Sequence, residues 1–152
     1  MSGDGQPTIQ QRLGRPFDPA ELRRIKRLWV RHSIAEDRRD IDGLIATLGP
    51  DCVYEIVPTG QRWVGHAGAR AFYTELFGAF PDNAFALSDI VVGPQGVMEV
   101  ATLTGTNDGP WAGAEPTGLP VSLQVLILFP WDPATERFTG ERIWFDRGAL
   151  EH

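Results

Sequence analysis

Cysteine is nearly absent: Cys52 stands alone among 152 residues, so the chain can close no disulfide on itself. Inside the apolar run "DCVYEIV" it reads as a small core hydrophobe. Histidine is scarce too. His32, His66 and His152 form neither HxH nor HExxH spacing, so the sequence announces no metal site. Neither a GxGxxG run nor a GxxxxGK phosphate loop occurs, and no cofactor is implied. No apolar run reaches membrane-spanning length, and the first residues lack the charged-then-apolar order of a secretion signal. The expectation is a cytoplasmic protein with no membrane partner. Positive charge is in deficit, 14 Lys and Arg against 20 Asp and Glu, for a net charge of −6. A nucleic-acid partner is not expected without a local basic face. The arginines at 23, 24, 27, 31, 38 and 39 alternate with Glu21, Glu36, Asp37 and Asp40, which reads as a solvated helix surface.

What is present is apolar and patterned. A hydrophobic fraction of 42% with five tryptophans fits one folded domain. Residues 1–16 are polar and punctuated by Gly and Pro, a flexible tail ahead of a single domain over 17–152. Asp18 and Pro19 start a first helix, with Leu22, Ile25, Trp29 and His32 on one stripe. Asp40 caps a second, with Ile41, Leu44, Ile45 and Leu48 at helical spacing before "GP". "DCVYEIV" reads as a strand and "PTGQRWVG" as a loop. A third helix starts near His66, with Ala69, Phe72, Leu76, Phe77 and Phe80 as its stripe. Four long strands follow: "AFALSDIVV", "GVMEVATLTGT", "LPVSLQVLILF" and "ERFTGERIWFD". Strands gathered after helices imply an α+β domain, with a sheet covered by helices on one face. A curved sheet wrapped on three helices leaves a cone, and cones make pockets.

Five stretches carry a resemblance: "RHSIAEDRRDIDGLIATLGPDCVYE", "WVGHAGARAFYTELFGAFPD", "FALSDIVV", "TGTNDGPWAGAEPTGLPVSLQVLILF" and "ERIWFDRGALEH". Together they resemble the SnoaL-like polyketide cyclase family of the nuclear transport factor 2-like superfamily. The resemblance spans roughly residues 20–152. It implies a cone-shaped barrel of a curved mixed, mostly antiparallel sheet wrapped on three N-terminal helices. It does not fix a reaction, because this scaffold hosts cyclases, dehydratases, isomerases, epoxide hydrolases and non-catalytic binders. Where family cyclases keep a histidine after "GT", this chain has Asn107. Ile127 occupies the strand position of their acid–base aspartate, and Ile143 that of the hydrolase aspartate. Dehydratase-like relatives open on a helix reading roughly RYxxALDRxD. Against that frame "RHSIAEDRRD" puts His32 on the tyrosine position and Asp37 on the catalytic aspartate. Asn83 stands near where those relatives carry a histidine.

Each candidate has an ordinary reading beside the functional one. His32 is either a satisfied core histidine or a pocket group titrating near ~6.5. Asp37 either caps the helix end or orients His32. Glu55 enters the cone if Val53 and Val57 face inward; Tyr54 enters instead if Cys52 and Ile56 do. Glu99 and Glu141 lie on strands and are expected to face solvent or a partner. Asp146 binds backbone or Arg147, and His66 neighbours the start of the third helix. Loop residues Trp63 and Trp111 are either mouth residues or local packing.

The expected catalytic set is His32, Asp37 and Glu55. The expected pocket is lined by Trp29, Tyr54, Trp63, Phe72, Phe77, Trp111, Ile127 and Phe145. The expected function is a cofactor-independent acid–base enzyme, a cyclase, isomerase or dehydratase, working on a hydrophobic polyketide-like or polycyclic small molecule. The other reading is a non-catalytic binding or accessory module, including an auxiliary to hydroxylation. In "VSLQVLILF" both faces are apolar over part of the strand, so a homodimer through the outer sheet face is expected.

Overall fold

The computed structural model describes residues 5–150. A short helix α1 (Ile9–Leu13) precedes α2 (Pro19–Asp37), α3 (Ile41–Ile45) and α4 (Gly65–Ala79). The strands are β1 (Leu48–Ile56), β2 (Gln61–Val64), β3 (Ala84–Gly93), β4 (Gly96–Thr106), β5 (Pro120–Asp132) and β6 (Arg137–Trp144), followed by a 3-10 turn at Arg147–Leu150. One six-stranded sheet runs in the order β2-β1-β6-β5-β4-β3. Its β1–β6 pair is parallel and the others are antiparallel, so the sheet is mixed. Among the described residues no helix is long and apolar enough to cross a membrane.

Local chemistry accounts for the helix boundaries. The Asp18 side chain accepts from Ala20 N at 3.0 Å, with Pro19 at the first helical position, where its missing N–H costs nothing. Asp40 caps α3 through Gly43 N at 3.0 Å. That helix ends at Ile45, so Leu48 opens β1 instead of closing a helix, correcting the longer second helix read from its spacing. "QRWV" is likewise a strand, hairpinned onto β1 with Tyr54 opposite Trp63. Ahead of α2 the polar stretch is not featureless. Thr8 and Gln11 form a capping box on α1, and Gln95 Nε2 donates to Arg12 O at 2.7 Å.

Inside the cone the strands alternate cleanly. Val97, Glu99, Ala101 and Leu103 of β4 are buried, as are Leu123, Val125, Ile127 and Phe129 of β5 and Cys52, Tyr54 and Ile56 of β1. Each large apolar side chain buried this way contributes about 1.5–3 kcal/mol against the entropy of ordering it. At Gly140 the backbone has φ +122, and a Cβ there would run into the Val53 backbone. The parallel β1–β6 contact therefore requires glycine at 140. On β3, Leu87, Ile90 and Val91 remain exposed.

Candidate active site

His32 is 2% exposed on α2, wedged edge-on to Phe129. Its partners fix its chemistry. Thr47 Oγ1 donates its one hydrogen to Leu44 O at 2.7 Å, so it can only accept from His32 Nδ1, 2.8 Å away. Nδ1 therefore carries a proton, and Nε2 is left facing Glu141 Oε2 at 3.1 Å. Tyr73 OH donates to the same oxygen at 2.7 Å and lies 3.1 Å from Nε2. Its hydrogen thus spent, Tyr73 accepts from Tyr54 OH at 2.6 Å. The Nε2–Oε2 contact is a hydrogen bond only if one more proton lies between the two atoms. The pair is either imidazolium with carboxylate or neutral imidazole with carboxylic acid, and the two forms differ by moving that proton.

Glu36, one turn beyond His32, brings Oε2 to 3.9 Å from Nε2. Glu99, 6% exposed on β4, is the third acid in the cone, close enough to Glu36 and Glu141 for their charges to act on one another. Burial raises the Glu36 carboxyl well above its ordinary value, and the charges of Glu141, Glu99 and Asp37 push the same way. Burial, then Glu141, raises Glu99 to about 8, opposed by a hydrogen bond from Trp29. Tyr54 and Tyr73 are raised by burial and then by Glu141, so both stay hydroxyl donors. His32 Nε2, Glu36 and Glu141 place ligand atoms within 4.8 Å of one another, a spacing that a cation could use. A metal there would have to displace the bonds that Nε2 and Glu141 Oε2 make to each other and to Tyr73.

The cluster forms one wall of a narrow apolar cavity. Glu36 and Glu141 line it together with Phe72, Leu76, Phe85, Leu103, Trp111, Leu123, Val125, Ile127, Ile143 and Phe145. The cavity volume is about 30 Å³, close to that of a single water molecule. A ring system would occupy it only as the side chains part.

Of the residues expected to line the pocket, Phe72, Trp111, Ile127 and Phe145 do so. Trp29, Trp63 and Phe77 are partly buried against the core instead. Trp29 bonds Glu99, Trp63 stands edge-on to Phe72, and Phe77 tilts against Tyr73. Tyr54 faces inward but behind Tyr73. Asp37 is exposed and makes no contact with His32, because five residues along a helix rotate a side chain about 140° away, whereas four rotate it about 40°. The helix residue beside His32 is thus Glu36, which is not part of a solvated face. Glu55 points outward, paired with Arg62 at 3.4 Å and Arg142 at 3.6 Å. Glu99 and Glu141 are buried inside the cone, not turned to solvent or a partner. Their signal was in the sequence: Glu99 is in phase with Val97, Ala101 and Leu103, and Glu141 with Ile143 and Phe145. Asn107 is buried with its side-chain amide unpartnered among the described residues, and it does not line the cavity. Asp146 accepts from Gly148 N at 2.9 Å, and His66 Nε2 bonds Leu48 O at 3.0 Å. His152 lies outside the described residues.

A family model described as SnoaL-like polyketide cyclase matches residues 22–152. Among solved structures, a protein of Jannaschia sp. CCS1 described as a SnoaL-like polyketide cyclase is 26% identical. The match covers 91% of this chain and 95% of that one, with a TM-score of 0.71. A similarly described protein of Shewanella denitrificans is 16% identical, covers 88% and 96%, and has a TM-score of 0.72. AclR of Streptomyces galilaeus, described as a hydroxylase, is 22% identical over 85% and 93%, with a TM-score of 0.67. No curated protein matches the sequence.

Proposed function

Because the chain belongs to the SnoaL-like polyketide cyclase family, we propose that it is an acid–base enzyme for a hydrophobic, polyketide-like or ring-bearing carbonyl compound. It works as a cyclase, isomerase or dehydratase without a cofactor, and as a homodimer paired through the outer sheet face. The observation that carries this reading is the placement of Glu141. One of its oxygens holds Tyr73 at 2.7 Å and His32 at 3.1 Å, and the side chain forms part of the cavity wall.

With the shared proton on His32, Glu141 is a carboxylate facing the ligand. It takes a proton from the carbon beside the ligand's carbonyl, leaving an enolate and a carboxylic acid. His32 sets the proton balance of the pair, and Thr47 holds its ring. The enolate then closes a ring, takes the proton back at another carbon, or expels a β-hydroxyl as water. Each route returns the pair to its starting count of protons.

The test does not require the natural substrate. 2-Tetralone, a two-ring enolisable ketone, is incubated with the protein in D2O and its α-hydrogens are followed by NMR. The wild type accelerates exchange above the buffer rate. Glu141→Gln, which still accepts from Tyr73, and His32→Gln each lose about 100-fold or more, the usual worth of a positioned acid–base group. Exchange at the wild-type rate in both folded variants, or none in the wild type, overturns the assignment. In the second case the cavity would serve binding alone.

A further inference from the structure

The three acids of the cone are not equivalent. Glu141 is bonded to Tyr73 and His32, and Glu99 receives the Trp29 indole. Neither oxygen of Glu36 makes a hydrogen bond among the described residues; its approach to His32 Nε2, at 3.9 Å, is too long for one. Yet 17% exposure of its side chain and its place in the cavity wall leave it facing the space a ligand would fill. A carboxyl that keeps accessible surface at a cavity and has no protein partner is free to bond a ligand placed there. The remaining cavity wall is aliphatic and aromatic apart from Glu141.

We propose that Glu36 is the carboxylic acid that hydrogen-bonds the ligand's oxygen, so that the cavity takes neutral carbonyl and enol compounds and turns carboxylates away. This rests on the acid–base reading of the same site: if Glu141 removes the proton, the developing enolate oxygen needs a donor. The groups facing Glu36 from its surroundings explain why it keeps its hydrogen. They are Glu141 on β6, Glu99 on β4, Tyr73 on α4, Tyr54 on β1, and Asp37 and His32 on its own helix. Apart from His32, none of these can carry positive charge, and burial already favours the neutral acid. A ligand carboxylate would add a further negative charge to a dry pocket whose acids already repel one another.

Two measurements test this. The first is binding of 2-naphthol, the flat analogue of a tetralone enol, read by quenching of tryptophan fluorescence, with 2-naphthoate as the charged comparison. Wild type binds 2-naphthol in preference to 2-naphthoate near neutral pH, and Glu36→Ala weakens 2-naphthol by about tenfold, the worth of one hydrogen bond to a buried group. The second is tetralone exchange, where Glu36→Ala loses about 100-fold, as removal of a donor to a developing oxyanion does. Glu36→Gln, which keeps an N–H at the same place, stays within about fivefold of wild type in both. The idea is overturned if 2-naphthol fails to bind, if 2-naphthoate binds equally well, if Glu36→Ala binds like wild type, or if Glu36→Gln is as poor as Glu36→Ala. Glu36-dependent binding without exchange would keep this inference while sinking the assignment of Glu141.

Discussion

Glu99 offers a test of the buried acid cluster that needs no ligand. Its carboxyl ionises at about 8 in the fold, against an ordinary 4.5, because burial and the Glu141 charge outweigh the Trp29 hydrogen bond. A raised acid holds its proton longer when folded than when unfolded. Between pH 4.5 and about 8 the native state therefore binds the extra proton, and stability falls as pH rises through that window. Below it the contribution is fully present; above it the fall is complete. The gap between the two values, at 1.36 kcal/mol per unit, puts the loss on the order of 3–5 kcal/mol. Glu99→Gln keeps an oxygen for the Trp29 indole and cannot ionise. At pH 5 it should match wild type within about 1 kcal/mol. By pH 9 it should be more stable by roughly the full gap. Urea unfolding at pH 5, 7 and 9 measures both proteins, and subtracting the variant removes what titrating groups remote from Glu99 contribute. Parallel pH profiles, or a wild type that gains on the variant as pH rises, would refute a neutral, desolvated Glu99.

Asp37→Asn and Glu55→Gln should each change unfolding free energy by no more than about 1 kcal/mol and leave tetralone exchange intact, because the first is exposed and the second holds only partly exposed pairs; a large loss of exchange in either would return it to the site. Gly140→Ala should cost more than about 4 kcal/mol or prevent folding, since it forces a Cβ into the Val53 backbone at a positive φ. A soluble Gly140→Ala protein with wild-type melting would show that the β1–β6 contact is looser than described.

The order of elements and the inward turn of His32 were legible because helix stripes and strand alternation are periodic signals that one chain carries by itself. The segments misread were short. Val64 and Trp63 had too few neighbours to announce β2, and Leu48 continued a helical spacing by coincidence while the chain had already turned into β1. The site was harder for a different reason. His32 and Glu141 are 109 residues apart, and no local pattern reports which strand will pass beneath a helix. Glu99 and Glu141 did share phase with buried neighbours, but a glutamate in a strand is ordinarily found in water, and that expectation outweighed the phase. Family spacing pointed to Asp37, and Glu36 was read as part of a solvated surface, where helix geometry alone puts the residue four positions on beside His32.

The sheet order has a consequence for how the protein comes into being. β6 is inserted between β1 and β5, so until residues 137–144 arrive both of those strands are open edges. A ribosome delivers β6 after both of the strands it joins. A chain that has not yet reached Glu141 holds an imidazole and two glutamates without the third that bonds His32, so the buried cluster is completed by the same event that closes the sheet.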